Sequence, residues 1–127
     1  MIGYVTIGVN DIEQSVVFYD AVFKPLDYSR HFKGGGWAGY GLDGKAGGLD
    51  VYLATPANGQ PATLGNGSML GFKAKDRAAV DAFYSAALEA GGSDEGPPDV
   101  RGTNDPPFYG AYVRDPVGNK LCAFFKG

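Results

Sequence analysis

Along the first 23 residues the pattern of apolar and polar positions changes period once. In "YVTIGV" (4–9), Val5 and Ile7 alternate with Tyr4 and Thr6, the two-residue period of a strand. From Asp11 onward Ile12, Val16, Tyr19 and Phe23 recur at spacings of four, three and four, the stripe of an amphipathic helix. Asp11 is placed to cap that helix, and Gln14 completes a capping box in which each side chain covers the other residue's backbone N–H. Pro25 has no N–H and disfavours helical geometry before it, so the helix is expected to stop near Lys24. A second helix follows the same plan: Asp76 precedes Val80, Phe83, Tyr84, Ala87 and Leu88, and Gly91-Gly92 end it.

The two helices belong to a repeat. A shift of 65 residues places Asp11 on Asp76, Phe18 on Phe83, Tyr19 on Tyr84 and Ala21 on Ala86, and it lays "YVTIGV" on "MLGFKA". After each helix come strand-like runs that end in a hairpin. The first turns near Asp43-Gly44 and the second at Asp115-Pro116-Val117-Gly118. Each half therefore reads strand–helix–strand–strand–strand, with module 1 over about 1–55 and module 2 over about 68–127. Between them "TPANGQPATLGNG" (55–67) has no period and reads as a linker. A second stretch without period, 93–107, contains four prolines and reads as a long loop, either wandering over the surface or covering a pocket.

Composition narrows the function. The 127 residues suit one compact unit or two half-size modules sharing a core, and 44% apolar with 20% charged residues is ordinary globular usage. A net charge of −3 offers no basic stripe for phosphates, which argues against nucleic acid as a partner. Cys122 is the only cysteine, so no intrachain disulfide or cysteine-based zinc cluster can form. No apolar run approaches a membrane span and the N-terminus lacks a charged-then-apolar segment, so a cytoplasmic protein without a membrane partner is the expectation.

Two βαβββ modules, "DIEQSVVFY" in the first, "DRAAVDAFYSAALEAGG" in the second and "YVRDPVGN" near the end resemble the vicinal oxygen chelate superfamily. That superfamily includes glyoxalase I, extradiol dioxygenases, fosfomycin resistance enzymes and bleomycin resistance proteins. The resemblance covers essentially the whole chain. It implies an α+β fold in which each module curls four strands into half of a cup, two halves enclosing a cleft. In metal-dependent members, four cleft-facing side chains, mostly His and Glu, hold one divalent ion that polarises two substrate oxygens.

Carried residue by residue, the four ligand positions here are Tyr4, Tyr52, Met69 and Cys122. None is His, Asp or Glu. Neutral tyrosine and a thioether are poor ligands for hard or borderline divalent ions, and only Cys122 can become an anion. Met69 with Cys122 would suit a soft Cu(I) ion alone. A two-residue change of register in the fourth strand would bring in Asp50, which supplies one ligand and not a site. The expectation is therefore no metal and no cofactor.

Strand alternation assigns the remaining faces. Tyr4, Thr6, Asp50, Tyr52, Met69, Lys73, Lys120, Cys122 and Phe124 are expected to face the cleft, and Val5, Ile7, Val51, Leu53, Leu70, Phe72, Leu121 and Ala123 the helices. The second set is wholly apolar and the first is mixed, as the wall of a ligand cavity is. From it, Tyr4, Asp50, Tyr52, Met69, Cys122 and Phe124 are the candidate ligand-binding residues. Each also has a plainer role. The tyrosines can pack with their hydroxyls on backbone, Met69 can fill space, Cys122 can be a small buried apolar group, and Asp50 can pair with Lys73 or Lys120 at a rim. His31, the single histidine, falls in the second strand as a general base or as a surface residue. The glycines of "KGGGWAGYG" precede no Lys-Ser/Thr and helix, so they are read as bending points of strands and not as a phosphate loop.

Three functions remain open. The first is a metal-free binder that holds a small molecule in an aromatic cleft, as bleomycin resistance proteins do at a dimer interface. The second is an enzyme of the same fold acting on a small carbonyl or hydroxy compound through side chains alone. The third is a structural module whose cleft is filled by Tyr4, Tyr52 and Met69. Exposed strand edges and an apolar cleft wall imply a homodimer, whose contact surface would be the functional part in the third case.

Overall fold

The computed structural model describes residues 2–43 and 50–127. Its elements run β1 (Val5–Gly8), α1 (Ile12–Phe23), β2 (Tyr28–Gly34), β3 (Trp37–Leu42), β4 (Val51–Ala54), β5 (Leu70–Lys73), α2 (Arg77–Glu89), β6 (Ser93–Arg101), β7 (Phe108–Arg114) and β8 (Lys120–Lys126). They form two four-stranded sheets of identical topology, β1-β4-β3-β2 and β5-β8-β7-β6. The first and last strands of each module pair in parallel, Val5 with Val51 and Leu70 with Leu121, and the rest are antiparallel. This is the α+β pair of βαβββ modules expected from the repeat.

Both helices start at the predicted caps, although of the capping box expected at α1 only the Asp11 half forms among the described residues. The Asp11 carboxylate accepts the Gln14 N–H at 3.2 Å, and Asp76 accepts the Ala79 N–H at 2.8 Å. Their ends differ from expectation in one respect. Pro25 does not simply halt α1; it sits in a 3-10 turn, Lys24–Leu26, that continues from the helix and closes with Asp27 in the left-handed region. Gly91 ends α2 with φ +98°, and the Gly92 N–H returns to the Ala87 carbonyl at 2.8 Å. A Cβ on Gly92 would stand 2.6 Å from the Arg114 carbonyl oxygen and 2.7 Å from the Phe18 ring, so only glycine fits there.

Two expectations for the loops are corrected. The predicted loop 93–107 is largely strand β6 with a turn after Arg101. β6 is an edge strand, and its register slips between Asp94 and Gly96 and again between Gly96 and Asp99, so Pro97 and Pro98 lie where no ladder N–H is required. The glycines after Lys33 make a turn and not a bend: Gly35 and Gly36, at φ +61° and +81°, join β2 to β3. The turn expected near Asp43-Gly44 runs into 44–49, outside the described residues.

One core serves both modules. The helix-packed faces of the sheets, with Ile7, Tyr40, Val51 and Leu53 in the first and Ala111, Val113, Leu121 and Ala123 in the second, join Val16, Phe18, Val22, Val80 and Phe83 in a single apolar cluster. Phe23 of α1 meets Phe72 of β5 edge-on at 5.2 Å, tying the halves together. Leu88, expected on the buried stripe of α2, is instead 41% exposed, and Tyr84 is half-buried with its hydroxyl donating to Asp94 at 3.0 Å.

A polar latch also spans the modules. Asp115, 4% exposed in the turn between β7 and β8, accepts the Tyr19 hydroxyl at 2.6 Å and the N–H groups of Val117, Gly118 and Asn119 at 2.8–3.0 Å. Asn119 Nδ2 donates both to Asp115, at 2.8 Å, and to the Gly8 carbonyl at the end of β1, at 2.9 Å. The Asp-Pro-x-Gly-Asn turn thus fastens module 2 to the helix and first strand of module 1.

Candidate functional site

Residues directly opposite one another in a ladder point to the same side, so the register defines the face of each sheet turned away from the helices. In the first sheet Gly39 lies between Phe32 and Tyr52, and Trp37 lies two residues before it. Tyr52 packs edge-on against Tyr4 at 5.2 Å and against Trp37 at 5.9 Å. Tyr4 is 62% exposed, Phe32 48% and Trp37 43%, so this open face is an aromatic surface in water.

In the second sheet, Arg101, Phe108, Gly110, Tyr112, Cys122 and Phe124 share the open face. Phe108 stacks on Phe124 with centroids 5.1 Å apart and planes 11° from parallel. Gly110 makes this possible, since a Cβ there would lie 2.7 Å from the Phe108 ring. Cys122 is a free thiol buried beside Tyr112, and loss of water pushes it up to about 11, so it stays neutral at pH 7. Tyr112 is also raised, first by burial and then by Cys122.

Between the two sheets runs a groove of about 720 Å³, a size that suits a small molecule. Its walls are the edge strands β1 and β5, with Thr6 on β1, Met69 just before β5 and Lys120 at the start of β8, and residues of 63–68 close one side. Of the candidate residues, the structure places Met69 in this groove and Tyr4 with Tyr52 on the aromatic face. Phe124 and Cys122 lie on the second sheet. Asp50 stands apart: it accepts the hydroxyl of Tyr28, whose ring packs on Phe23 and Phe72, and it pairs with neither Lys73 nor Lys120. His31 is exposed on β2, in contact with the Ser29 hydroxyl at 3.3 Å.

The four positions that carry ligands in metal-dependent relatives do not fit a divalent ion here. Their donors are two phenols, a thioether and a thiol held neutral by burial, and among the described residues no three His, Cys, Asp or Glu side chains come together.

Sequence alone offers Trp37, Tyr40, Tyr109 and Tyr112 as further aromatic surface without fixing the parity of their strands; the register puts Trp37 and Tyr112 on the open faces, Tyr40 and Tyr109 on the opposite ones, and adds Phe108. The Gly35-Gly36 pair, taken as a hairpin turn, fixes Trp37, and counting back from the Asp115 turn fixes Tyr112 and Phe108. Arg101 was hidden in the presumed loop.

The chain from residue 1 to 123 matches the model of the Glyoxalase/Bleomycin resistance protein/Dioxygenase superfamily, and it belongs to that superfamily. Its fold is similar to that of a glyoxalase/bleomycin resistance protein from Albidiferax ferrireducens T118, with a TM-score of 0.86, 41% identity and 97% of each chain covered. A glyoxalase-related enzyme from Fulvimarina pelagi shares the fold at 21% identity and a TM-score of 0.74, over 98% of this chain and 87% of that one. A superfamily enzyme from Burkholderia phytofirmans PsJN does so at 18% identity and 0.72, over 99% and 98%. No curated protein matches the chain. Among the described residues no helix is long and apolar enough to cross a membrane.

Proposed function

We propose that this protein binds a small planar or aromatic molecule on its open aromatic face, without a resident metal ion. The observation that carries the reading is the exposed cluster of Tyr4, Tyr52 and Trp37, with Tyr52 held edge-on between the other two rings. Aromatic surface left in water is costly, at about 25 cal/mol per Å². A contiguous patch of it marks a surface with a partner. Stacking on rigid rings supplies contact area with little rotamer entropy to lose.

Two further features support a binder over its competitors. Tyr4 at 62% and Met69 at 46% exposure do not fill a core, as a closed cleft would require. The shifted groups on the open faces, Tyr112 and Cys122, both titrate higher than usual and so further above pH 7, and neither is an acid or base poised there. In this reading the protein works as a homodimer in the cytoplasm, the partner copy covering the open faces and the bound ligand.

Thermal shift with a panel of planar compounds, with and without EDTA, tests the proposal. At least one compound should raise the melting temperature equally in both conditions, since a ligand that favours the native state stabilises it. Tyr4→Ala should abolish that rise. Stabilisation that appears only with an added divalent ion would overturn the reading.

A further inference from the structure

The chain as a whole is acidic, with a net charge of −3, yet the open face of the second sheet reverses that sign. Lys73, Arg101, Lys120 and Lys126 share this face by register, and none forms an ion pair among the described residues. The fifth cation there, Arg114, is already neutralised by Glu95 at 2.6 Å. Asp99 is the carboxylate in register with Gly110, and it is turned onto the Val100 N–H at 2.8 Å.

Two of the cations are held over an aromatic ring. The Arg101 guanidinium lies 5.5 Å from the Tyr112 centroid and the Lys120 ammonium 5.6 Å from it. Gly96 makes room for the first: a Cβ there would be 3.1 Å from both Arg101 Nη2 and the Tyr112 ring. Arg101 Nη2 donates to the Pro97 carbonyl, which anchors the side chain, while its Nε–H is buried with no acceptor among the described residues. Lys120 also lines the groove between β1 and β5. The stacked Phe108–Phe124 pair continues the same face.

We propose that this face is an oxyanion-binding half-site: Arg101 and Lys120, gathered on Tyr112, receive the carboxylate of a ligand whose planar body lies along Phe108 and Phe124. The inference rests on the reading of the open faces as ligand surfaces and adds the charge of the ligand to it. Two cations without carboxylate partners, on a half-buried aromatic floor, favour an anion over a neutral amide of the same shape, because the carboxylate adds a full charge–charge attraction that the amide dipole lacks. An ammonium on the same planar body meets repulsion.

Isothermal titration with 2-naphthoate, 2-naphthamide and 2-naphthylmethylamine tests this on the unmodified protein and on Lys120→Met, Arg101→Met and the double variant. The naphthoate should bind about tenfold more tightly than the naphthamide, a difference of about 1.4 kcal/mol. The amine should bind most weakly. Raising salt from 50 to 500 mM should shrink the preference by screening. Each single variant should lower it severalfold and the double variant should erase it, with naphthoate affinity falling more than naphthamide affinity. Should Arg101→Met misfold, Lys120→Met and the salt series decide alone. Equal binding of acid and amide, or a preference that survives the double variant, overturns the anion site and leaves the binder reading standing. If none of the three probes binds, both fall.

Discussion

Truncating Asp115 should cost more than any other single polar change in this protein. Its carboxylate receives five hydrogen bonds, from the Tyr19 hydroxyl, three backbone N–H groups and Asn119 Nδ2. In Asp115→Ala two of these donors keep a second acceptor: the Gly118 N–H still reaches the carbonyl of residue 115 at 2.9 Å, and Asn119 Nδ2 still reaches Gly8. Three are orphaned, namely the fully buried Tyr19 hydroxyl and the N–H groups of Val117 and Asn119. At about 1–3 kcal/mol per stranded donor, with the turn partly open to water, the loss should come to about 3–5 kcal/mol. Asp115→Asn keeps an acceptor for the backbone groups but sets an amide NH₂ against that of Asn119, and should cost about half as much. Urea unfolding at pH 7 measures both, and the Tyr19→Phe background isolates the cross-module bond: Asp115→Ala should be less costly there by about 1–2 kcal/mol. An Asp115→Ala midpoint within about 1 kcal/mol of the parent would refute the latch.

Three other outcomes follow from the same geometry. Cys122, buried with its thiol pushed up to about 11 from 9.0, should react with a disulfide reagent at pH 8 about 100-fold more slowly in the folded protein than in urea. Because the folded state holds this proton more tightly, stability should be unaffected below about pH 9 and fall as pH rises from there through 11, and Cys122→Ala should flatten that slope. Light scattering at micromolar concentration should give a dimer of the 13.3 kDa chain; a monomer would remove the proposed cover of the open faces. Metal analysis of the purified protein should find no stoichiometric Ni, Zn, Fe, Mn or Mg, and about one equivalent would show that ligands other than Tyr4, Tyr52, Met69 and Cys122 form a site.

Much of the fold was legible because two periods and one repeat carried it. Asp11 and Asp76, related by 65 residues, both cap helices, and Val5, Ile7, Val51, Leu53, Leu121 and Ala123 of β1, β4 and β8 turn toward the helices as alternation predicts. The prolines of 93–107 concealed β6, since a rule about missing N–H groups cannot tell an edge strand from a loop without knowing which strand is at the edge. The site was less legible for a related reason. Parity in β3 and β7 depends on where each turn begins, and a shift of one residue exchanges Trp37 with Ala38 or Tyr112 with Ala111. Asp50, placed in the cleft by alternation, precedes β4 and is drawn to the Tyr28 hydroxyl, a contact 22 residues away that no local pattern encodes.

Trp37 is the single tryptophan of the chain and lies against Tyr52 on the aromatic face, so its emission reports directly on the proposed binding surface. Titrating EDTA-treated protein with 4-nitrobenzamide, a planar non-fluorescent amide, tests the central claim of a metal-free aromatic binding face. Saturable quenching of Trp37, unchanged by chelator and lost in Tyr4→Ala, is the expected result. Quenching that stays linear in ligand concentration, or that saturates only after a divalent ion is added, would contradict it.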